Sequence, residues 1–196
     1  MRIISGEFRG KKLALPKDNN TRPLKDMVKE SIFNLLDHSN KFQIKLENSC
    51  VLDLFSGSGS FGLECISRRS KIVYFFENYP KAIEVLKKNL LSLKDKKNYK
   101  IFNNDCIQFF NSKNKLDKRF DIVFLDPPYK ELKINALVNQ IIEKNILTNT
   151  GVIIIHRHKN DKLEISKKIK ILDIRTYGVS KIIIANNLSY STGISL

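Results

Sequence analysis

Short runs of β-branched and aromatic residues alternate with stretches of helical periodicity along most of this chain, and that alternation restricts its fold more than any other feature. Residues 51–55 (VLDLF), 72–76 (IVYFF), 99–102 (YKIF), 122–125 (IVFL) and 151–155 (GVIII) are nearly continuous apolar runs bounded by polar residues. Strands of this kind must be covered on both faces, the condition of a parallel sheet between two layers of helices. Helical patterns lie between them. In residues 81–93, Ile83, Leu86, Leu90 and Leu93 recur at the three- and four-residue spacing of one helix face, and residues 132–146 carry a second such pattern. The ending differs: residues 169–176 and 179–185 read as two strands joined through Tyr177-Gly178. Such a hairpin is antiparallel and closes one sheet edge. The expected fold is α/β, a mostly parallel seven-stranded sheet with a C-terminal antiparallel hairpin.

Ahead of the first core strand, residues 1–15 read as a short basic β element with Gly6 and Gly10 as turn residues. Residues 24–36 form a helix by pattern, with Pro23 near its start and Val28, Ile32, Leu35 and Leu36 as its apolar stripe. Residues 1–48 are thus expected to be a small basic arm and helix packed on a domain of residues 49–196, in a single structural unit. At 42% hydrophobic residues the chain can build a core, so bulk disorder is excluded. No apolar run approaches the roughly 20 residues that span a bilayer, and the N-terminus lacks the apolar segment of a signal peptide. The three cysteines form no C-x-x-C pair. No membrane, disulfide framework or zinc ribbon is expected, and a cytoplasmic monomer fits best. The formal charge of +15 suggests a polyanionic partner. Charge alone does not decide it, because 27 of the 35 basic residues are Lys and Asn is also abundant, a bias that A/T-rich coding would produce by itself.

The stretch from Asp53 to Gly62, DLFSGSGSFG, lies where the first strand hands over to a helix. Glycines there let the backbone turn tightly and approach a ligand closely. The literal G-x-G-x-x-G also fits a dinucleotide site or a ligand-free turn. Asp53 argues for a ligand with positive groups, such as an ammonium or a sulfonium, because its carboxylate would repel a pyrophosphate. Glu77, ending the next strand, suits a ribose diol. Asp105, after the third strand, could accept from an adenine amino group while the Cys106 backbone N–H donates to the ring. It fits a helix N-cap equally well.

The fourth strand runs into Asp126-Pro127-Pro128-Tyr129. Two prolines end the strand and fix the loop, since each has a locked φ and no N–H to donate. A carboxylate and a proline carbonyl held together can accept both protons of a neutral –NH2 group. That matters for a nucleobase amine, whose lone pair is conjugated with the ring. Accepting both N–H bonds at Asp126 and the Pro127 carbonyl draws the nitrogen toward tetrahedral geometry, and Tyr129 would stack on the base. The gain is orientation and electrostatics in a dry pocket, with no metal and no covalent intermediate.

With these two motifs in place, the chain resembles the Rossmann-like S-adenosylmethionine-dependent amino-methyltransferases, and most closely the RsmD-type 16S rRNA guanine-N2 methyltransferases. The resemblance covers nearly the whole chain. It rests on residues 2–13 (RIISGEFRGKKL), Arg22-Pro23, residues 29–35 (KESIFNL), residues 51–64, residues 121–129 and Tyr177-Gly178. It implies a class I methyltransferase fold with S-adenosylmethionine as methyl donor. Asp53, Gly57 and Gly59 would hold the methionine part, Glu77 the ribose and Asp105 the adenine, with Phe55 and Cys106 also in the cofactor site. Asp126, Pro127, Pro128 and Tyr129 would hold the guanine amino group. Arg2, Arg9, Lys11, Lys12 and Arg22 would meet phosphates of 16S rRNA or a partly assembled 30S subunit. Two alternatives share parts of the pattern: a DNA adenine-N6 methyltransferase, which uses the same proline loop, and an NAD-dependent oxidoreductase using the glycines literally. A non-catalytic RNA-binding module is a third. The chain departs from the family pattern after the fifth strand, where a glutamate is expected and Ile155-His156-Arg157-His158 stands, and again after Ala185. His156 and His158 would share one strand face, lack companions for a metal, and are expected to face solvent or RNA, out of touch with the proline loop.

Overall fold

Every apolar run forms a strand. The computed structural model describes residues 1–18, 24–42, 44–94, 96–128, 130–161 and 166–190. Its strands are β1 (Cys50–Leu54), β2 (Ile72–Phe76), β3 (Tyr99–Phe102), β4 (Phe120–Leu125), β5 (Leu147–His158), β6 (Ile169–Tyr177) and β7 (Ser180–Asn187). They make one sheet in the order β3-β2-β1-β4-β5-β7-β6. The first five are parallel, and β7 runs antiparallel to both β5 and β6. The hairpin turns at Gly178-Val179, with Tyr177 opposite Ser180 and Gly178 at φ +59°. β5 is longer than its apolar run, beginning four residues earlier at Leu147 and continuing through His156 to His158. Pairing with β4 ends at Ile155, and pairing with β7 alone carries the strand past this last isoleucine to His158.

The helices are α1 (Asp26–His38), α2 (Ser60–Ser67), α3 (Pro80–Leu91), α4 (Cys106–Asn111) and α5 (Ile134–Glu143). Strand alternation sends Val51, Ile122, Phe124 and Ile154 to one face, where they pack with residues of α1, α2 and α3. There Phe61 stacks between Phe33 at 5.1 Å and Phe124 at 4.0 Å, joining α1 to the sheet through α2. Leu52, Leu54, Val123 and Ile153 point the other way, toward Phe110 of α4 and Leu137 and Ile141 of α5. The chain runs from central β1 outward to β2 and β3, then crosses back to β4 beside it. Such a reversal opens a crevice at the carboxyl ends of the strands, between β1 and β4.

The N-terminal segment is less regular than the β element expected there: the only ladder pairing among its described residues is the bridge Arg2↔Lys12. What holds it is polar. The buried carboxylate of Glu64, in α2, accepts the backbone N–H groups of Ile4 (2.7 Å) and Ser5 (2.9 Å) and the Nε of Arg68 (3.0 Å). The equally buried Lys29 of α1 lies 3.7 Å from it and donates to the Arg2 carbonyl at 2.6 Å and to Ser60 at 3.2 Å. Burial pushes the Lys29 ammonium below its ordinary range, and the Glu64 carboxylate opposes that. Gly6, at φ +83°, lets the turn press onto Ser67 so closely that a Cβ there would stand 2.1 Å from the Ser67 carbonyl oxygen.

Breaking a buried charge pair from one side costs about 3–5 kcal/mol. Glu64→Ala is therefore expected to lower unfolding free energy by about that amount in a denaturant titration. It should also open the N-terminal segment to trypsin at Arg2, Arg9, Lys11 or Lys12 under native conditions, where the unaltered protein resists.

Candidate active site

The four acidic side chains singled out in the sequence all stand at the carboxyl ends of parallel strands. Asp53 is the last residue but one of β1, opposite Phe75 of β2 and Phe124 of β4. Glu77 follows β2, Asp105 lies three residues beyond β3, and Asp126 follows β4. Asp126 is two residues past Phe124, so it and Asp53 project to the same sheet face from adjacent strands, with Cα atoms on the order of 8 Å apart.

Asp53 is 1% exposed and has a single donor among the described residues, the Gly62 N–H at 3.0 Å. Burial raises its carboxyl well above the ordinary range, and the neighbouring Asp126 and Glu77 charges push it further the same way, against the pull of the Gly62 N–H. Three carboxylates thus face one crevice and raise the proton affinity of the most buried among them. A site built so is short of positive charge.

The glycine loop is folded to keep Asp53 there. The N–H groups of its three glycines are used within the protein: Gly57 donates to Glu77 at 2.6 Å, Gly59 to the Ser56 carbonyl at 2.8 Å and Gly62 to Asp53. A pyrophosphate-binding loop keeps such donors for the anion. Here the three glycine donors go to two carboxylates and a carbonyl, and the buried Asp53 carboxylate beside them disfavours an anion. Gly57 and Gly59 have φ +55° and +82°, and the space a Gly57 Cβ would take is open, so this backbone borders the crevice. Gly62 is different: a Cβ there would meet the Phe75 ring at 2.2 Å, so its role is close packing of α2 on the sheet. Phe55 holds φ +62°, unusual for an aromatic residue and a mark of imposed strain in the same loop.

Glu77 accepts from Gly57 through one oxygen and from the N–H groups of Asn78 and Tyr79, both at 2.9 Å, through the other. A carboxylate offers about four acceptor sites, so one hydroxyl can join without displacing a backbone donor. Asp105 caps α4, accepting the Gln108 N–H at 3.0 Å, and its other oxygen accepts from Asn78 at 3.3 Å. Cys106 is buried in the core beneath, and burial raises its thiol far above the ordinary range.

In the proline loop, the Pro128 carbonyl accepts the Glu131 N–H at 2.9 Å and the Arg157 guanidinium at 3.1 Å. Arg157 is buried, reaches the Glu131 carbonyl at 3.2 Å and is paired with Asp161. The Pro127 carbonyl and the Asp126 Oδ2 have no partner among the described residues. Tyr129 lies outside those residues, as does Arg22.

His156 departs furthest from its expected place. It does not face solvent or RNA: it is 4% exposed, and its Nδ1 lies 2.7 Å from Asp126 Oδ1. His158 is half-buried and its Nδ1 accepts the Asn160 N–H at 3.2 Å. The departure from the expected glutamate therefore touches the proline loop directly, through both His156 and Arg157. The strand period puts these two on opposite faces, but only the three-dimensional pairing of β4 with β5 brings them to Asp126 and Pro128.

The basic residues of the N-terminal segment sit apart from this cluster. Arg9, Lys11 and Lys12 flank the turn that rests on Ser67, and Lys11 donates to the Ser92 carbonyl past the end of α3. Ser67 and Ser92 precede β2 and β3, so these cations lie at the amino ends of the strands. Arg2 is exposed between the two ends, its backbone held by Lys29 and Asp26.

Residues 1–186 match the family model described as Conserved hypothetical protein 95. YlbH of Bacillus subtilis is 35% identical over 94% of this chain and 97% of its own length. Ribosomal RNA small subunit methyltransferase D of Haemophilus influenzae is 33% identical over 91% of this chain and 90% of its own. The solved structure of yhhF from Escherichia coli superposes with a TM-score of 0.80 at 26% identity, covering 95% of this chain and 97% of that one. The chain belongs to the family described as Conserved hypothetical protein 95, that of the ribosomal RNA small subunit methyltransferases D, and has its class I methyltransferase fold.

Proposed function

We propose that this protein transfers a methyl group from S-adenosylmethionine to the exocyclic N2 amine of a guanine in 16S rRNA, during small-subunit assembly. The observation that carries the reading is the pairing of two acceptor sites on adjacent strands. One is the buried, charge-crowded Asp53; the other is Asp126 Oδ2 beside the Pro127 carbonyl. S-adenosylmethionine supplies an electrophilic methyl on a sulfonium and carries an ammonium, the positive charge that Asp53 and its neighbours lack. Asp53 and the loop of Phe55, Gly57 and Gly59 would hold its methionine part, Glu77 its ribose and Asp105 with Cys106 its adenine end. Asp126 and Pro127 would accept the two amine protons, with Pro128 anchored by Arg157 to keep the loop in place and Tyr129 against the base.

The family relationship supports the rRNA substrate, and the excess of positive charge suits it. Arg2, Arg9, Lys11, Lys12 and Arg22 remain the proposed phosphate contacts. Because Arg9, Lys11 and Lys12 stand at the opposite end of the strands from Asp126, they would grip RNA well away from the methylated base. That geometry suits a large folded substrate, a 30S precursor in place of a short strand.

The direct test is transfer of labelled methyl to undermethylated 30S particles, followed by nucleoside analysis. N2-methylguanosine is the expected product; N6-methyladenine in duplex DNA, with none in rRNA, would overturn the reading. Asp126→Ala should lower kcat by about 100- to 1,000-fold, with S-adenosylmethionine affinity changed by less than a few fold. Equal losses in both would remove Asp126 from its role.

Asp53→Asn separates stability from function. Because the folded-state carboxyl is raised, the stability linked to its proton is fully present below the ordinary carboxyl value and is lost as pH rises through the folded-state value. Asparagine keeps an acceptor for Gly62 and cannot ionise. The variant should therefore melt higher than the parent protein at pH 8, by about 2–4 °C for each kcal/mol regained, with the difference shrinking toward pH 4. Its S-adenosylmethionine Kd should rise about 10- to 100-fold. A third expectation concerns RNA: neutralising Arg9 and Lys12 together should flatten the slope of log K against log salt by about one to two. An unchanged slope would place the RNA elsewhere.

A further inference from the structure

We propose that His156 is a positioning residue for the methyl transfer: it holds one carboxylate oxygen of Asp126 so that the other is presented to the incoming amine. The inference rests on the amino-methyltransferase reading and deepens it, by assigning a role to His156, in the stretch Ile155-His156-Arg157-His158 that stands where a glutamate is expected.

A terminal carboxylate is a broad, nearly two-fold rotor, and alone it would sample orientations that present either oxygen or neither. Asp126 cannot do so here. His156 Nδ1 engages Oδ1 at 2.7 Å, and the imidazole itself cannot move away. Its backbone lies in the ladder between Ile182 of β7 and the β4 end, where Leu125 pairs with Ile155. The side chain is 5% exposed. Asp126 is anchored at its other end by its N–H, which donates to the Leu54 carbonyl at 3.4 Å. The neighbouring Arg157, turned to the opposite face, secures Pro128. Two consecutive residues of β5 therefore clamp the loop from both sides of the sheet, His156 through the Asp126 side chain and Arg157 through the Pro128 carbonyl.

The bond also fixes a tautomer. Against an ionised carboxylate Nδ1 is the donor, and in the neutral imidazole Nε2 is then the acceptor. Nε2 is buried and has no partner among the described residues. An unsatisfied buried acceptor is a cost that packing alone would remove by an apolar side chain at this position. What points to use is the other nitrogen, held 2.7 Å from Asp126 Oδ1. In the transfer, the amine nitrogen gains the methyl group as the C–S bond breaks, and sulfur keeps the bonding pair. The proton that nitrogen then releases passes to Asp126 Oδ2, while the Nδ1–H stays on Oδ1. His156 touches neither substrate nor methyl donor.

Two measurements test this on the full-length protein. In the first, kcat on undermethylated 30S particles and the Kd of S-adenosylmethionine are compared for the parent protein, His156→Ala, His156→Asn and His156→Gln. Alanine should lower kcat about 10- to 100-fold with Kd nearly unchanged. Asparagine, whose side-chain N–H group occupies the place of Nδ1–H, should recover activity to within about three-fold, and glutamine should not. In the second, nitrogen NMR of the ligand-free protein should show the Nδ1–H tautomer for His156, shifting toward Nε2–H in Asp126→Ala. The tautomer of the parent protein is read without activity and without any folded His156 variant. Full activity in His156→Ala, asparagine no better than alanine in a folded protein, or an Nε2–H tautomer in the parent protein would each overturn the proposal. A parent protein that methylates no amine would overturn this inference together with the reading beneath it; an active parent with an indifferent His156→Ala overturns the inference alone.

Discussion

A carboxylate buried beside two others is the feature on which the rest of this site depends. Asp53 sits on the central strand, nearly sealed from water, with one N–H to satisfy it and with Asp126 and Glu77 adding negative charge nearby. Such a group is costly to keep ionised, and a fold under selection for stability alone would replace it. The surrounding structure is arranged to hold it: Gly62 is bare so that α2 can approach and offer its N–H, and Gly57 turns to tie Glu77 down. The crevice so formed favours a cation and repels a phosphate. That single electrostatic preference separates a methyl-donor site from a dinucleotide site that would share the same glycine spacing.

Much of this was legible in the sequence because it is local. The strands announce themselves as apolar runs, and their alternation with helices dictates a parallel sheet. The carboxylates could be placed at the strand ends because Asp53, Glu77 and Asp126 each lie within a residue or so of where their run stops. Asp105 read both as an adenine contact and as an N-cap, and its cap bond to Gln108 is present. What could not be read is what depends on pairing between distant segments. His156 looked like an exposed strand residue because β5 continues beyond its isoleucines, and nothing in the residues 156–158 signals Asp126 thirty positions earlier. One clue was available: a polar residue directly after a run of four apolar ones, in a strand buried on both faces, has to find a partner.

The N-terminal segment shows the same division. Its turns at Gly6 and Gly10 follow from composition, and both glycines have positive φ. Its attachment does not, because the ion pair of Lys29 and Glu64 links residues far apart and joins two helices to a backbone that has almost no ladder of its own. The attachment also separates two jobs in space. The proposed methyl transfer would take place at the carboxyl ends of the strands, and the cations of the turn stand at the amino ends. On that proposal the total charge that suggests a nucleic acid would act through its placement, as a hold at a distance from the chemistry.

The central claim is that the crevice is a receptor for a cation because Asp53 is buried among carboxylates. Titration calorimetry in buffers of different ionisation enthalpy tests it directly, by counting the protons exchanged when S-adenosylmethionine binds, as a function of pH above the ordinary carboxyl range. The expected result is net proton release that disappears in Asp53→Asn, with no binding of NAD at comparable concentration. Binding of NAD in preference to S-adenosylmethionine, or S-adenosylmethionine binding with no proton release and no response to Asp53→Asn, would contradict it.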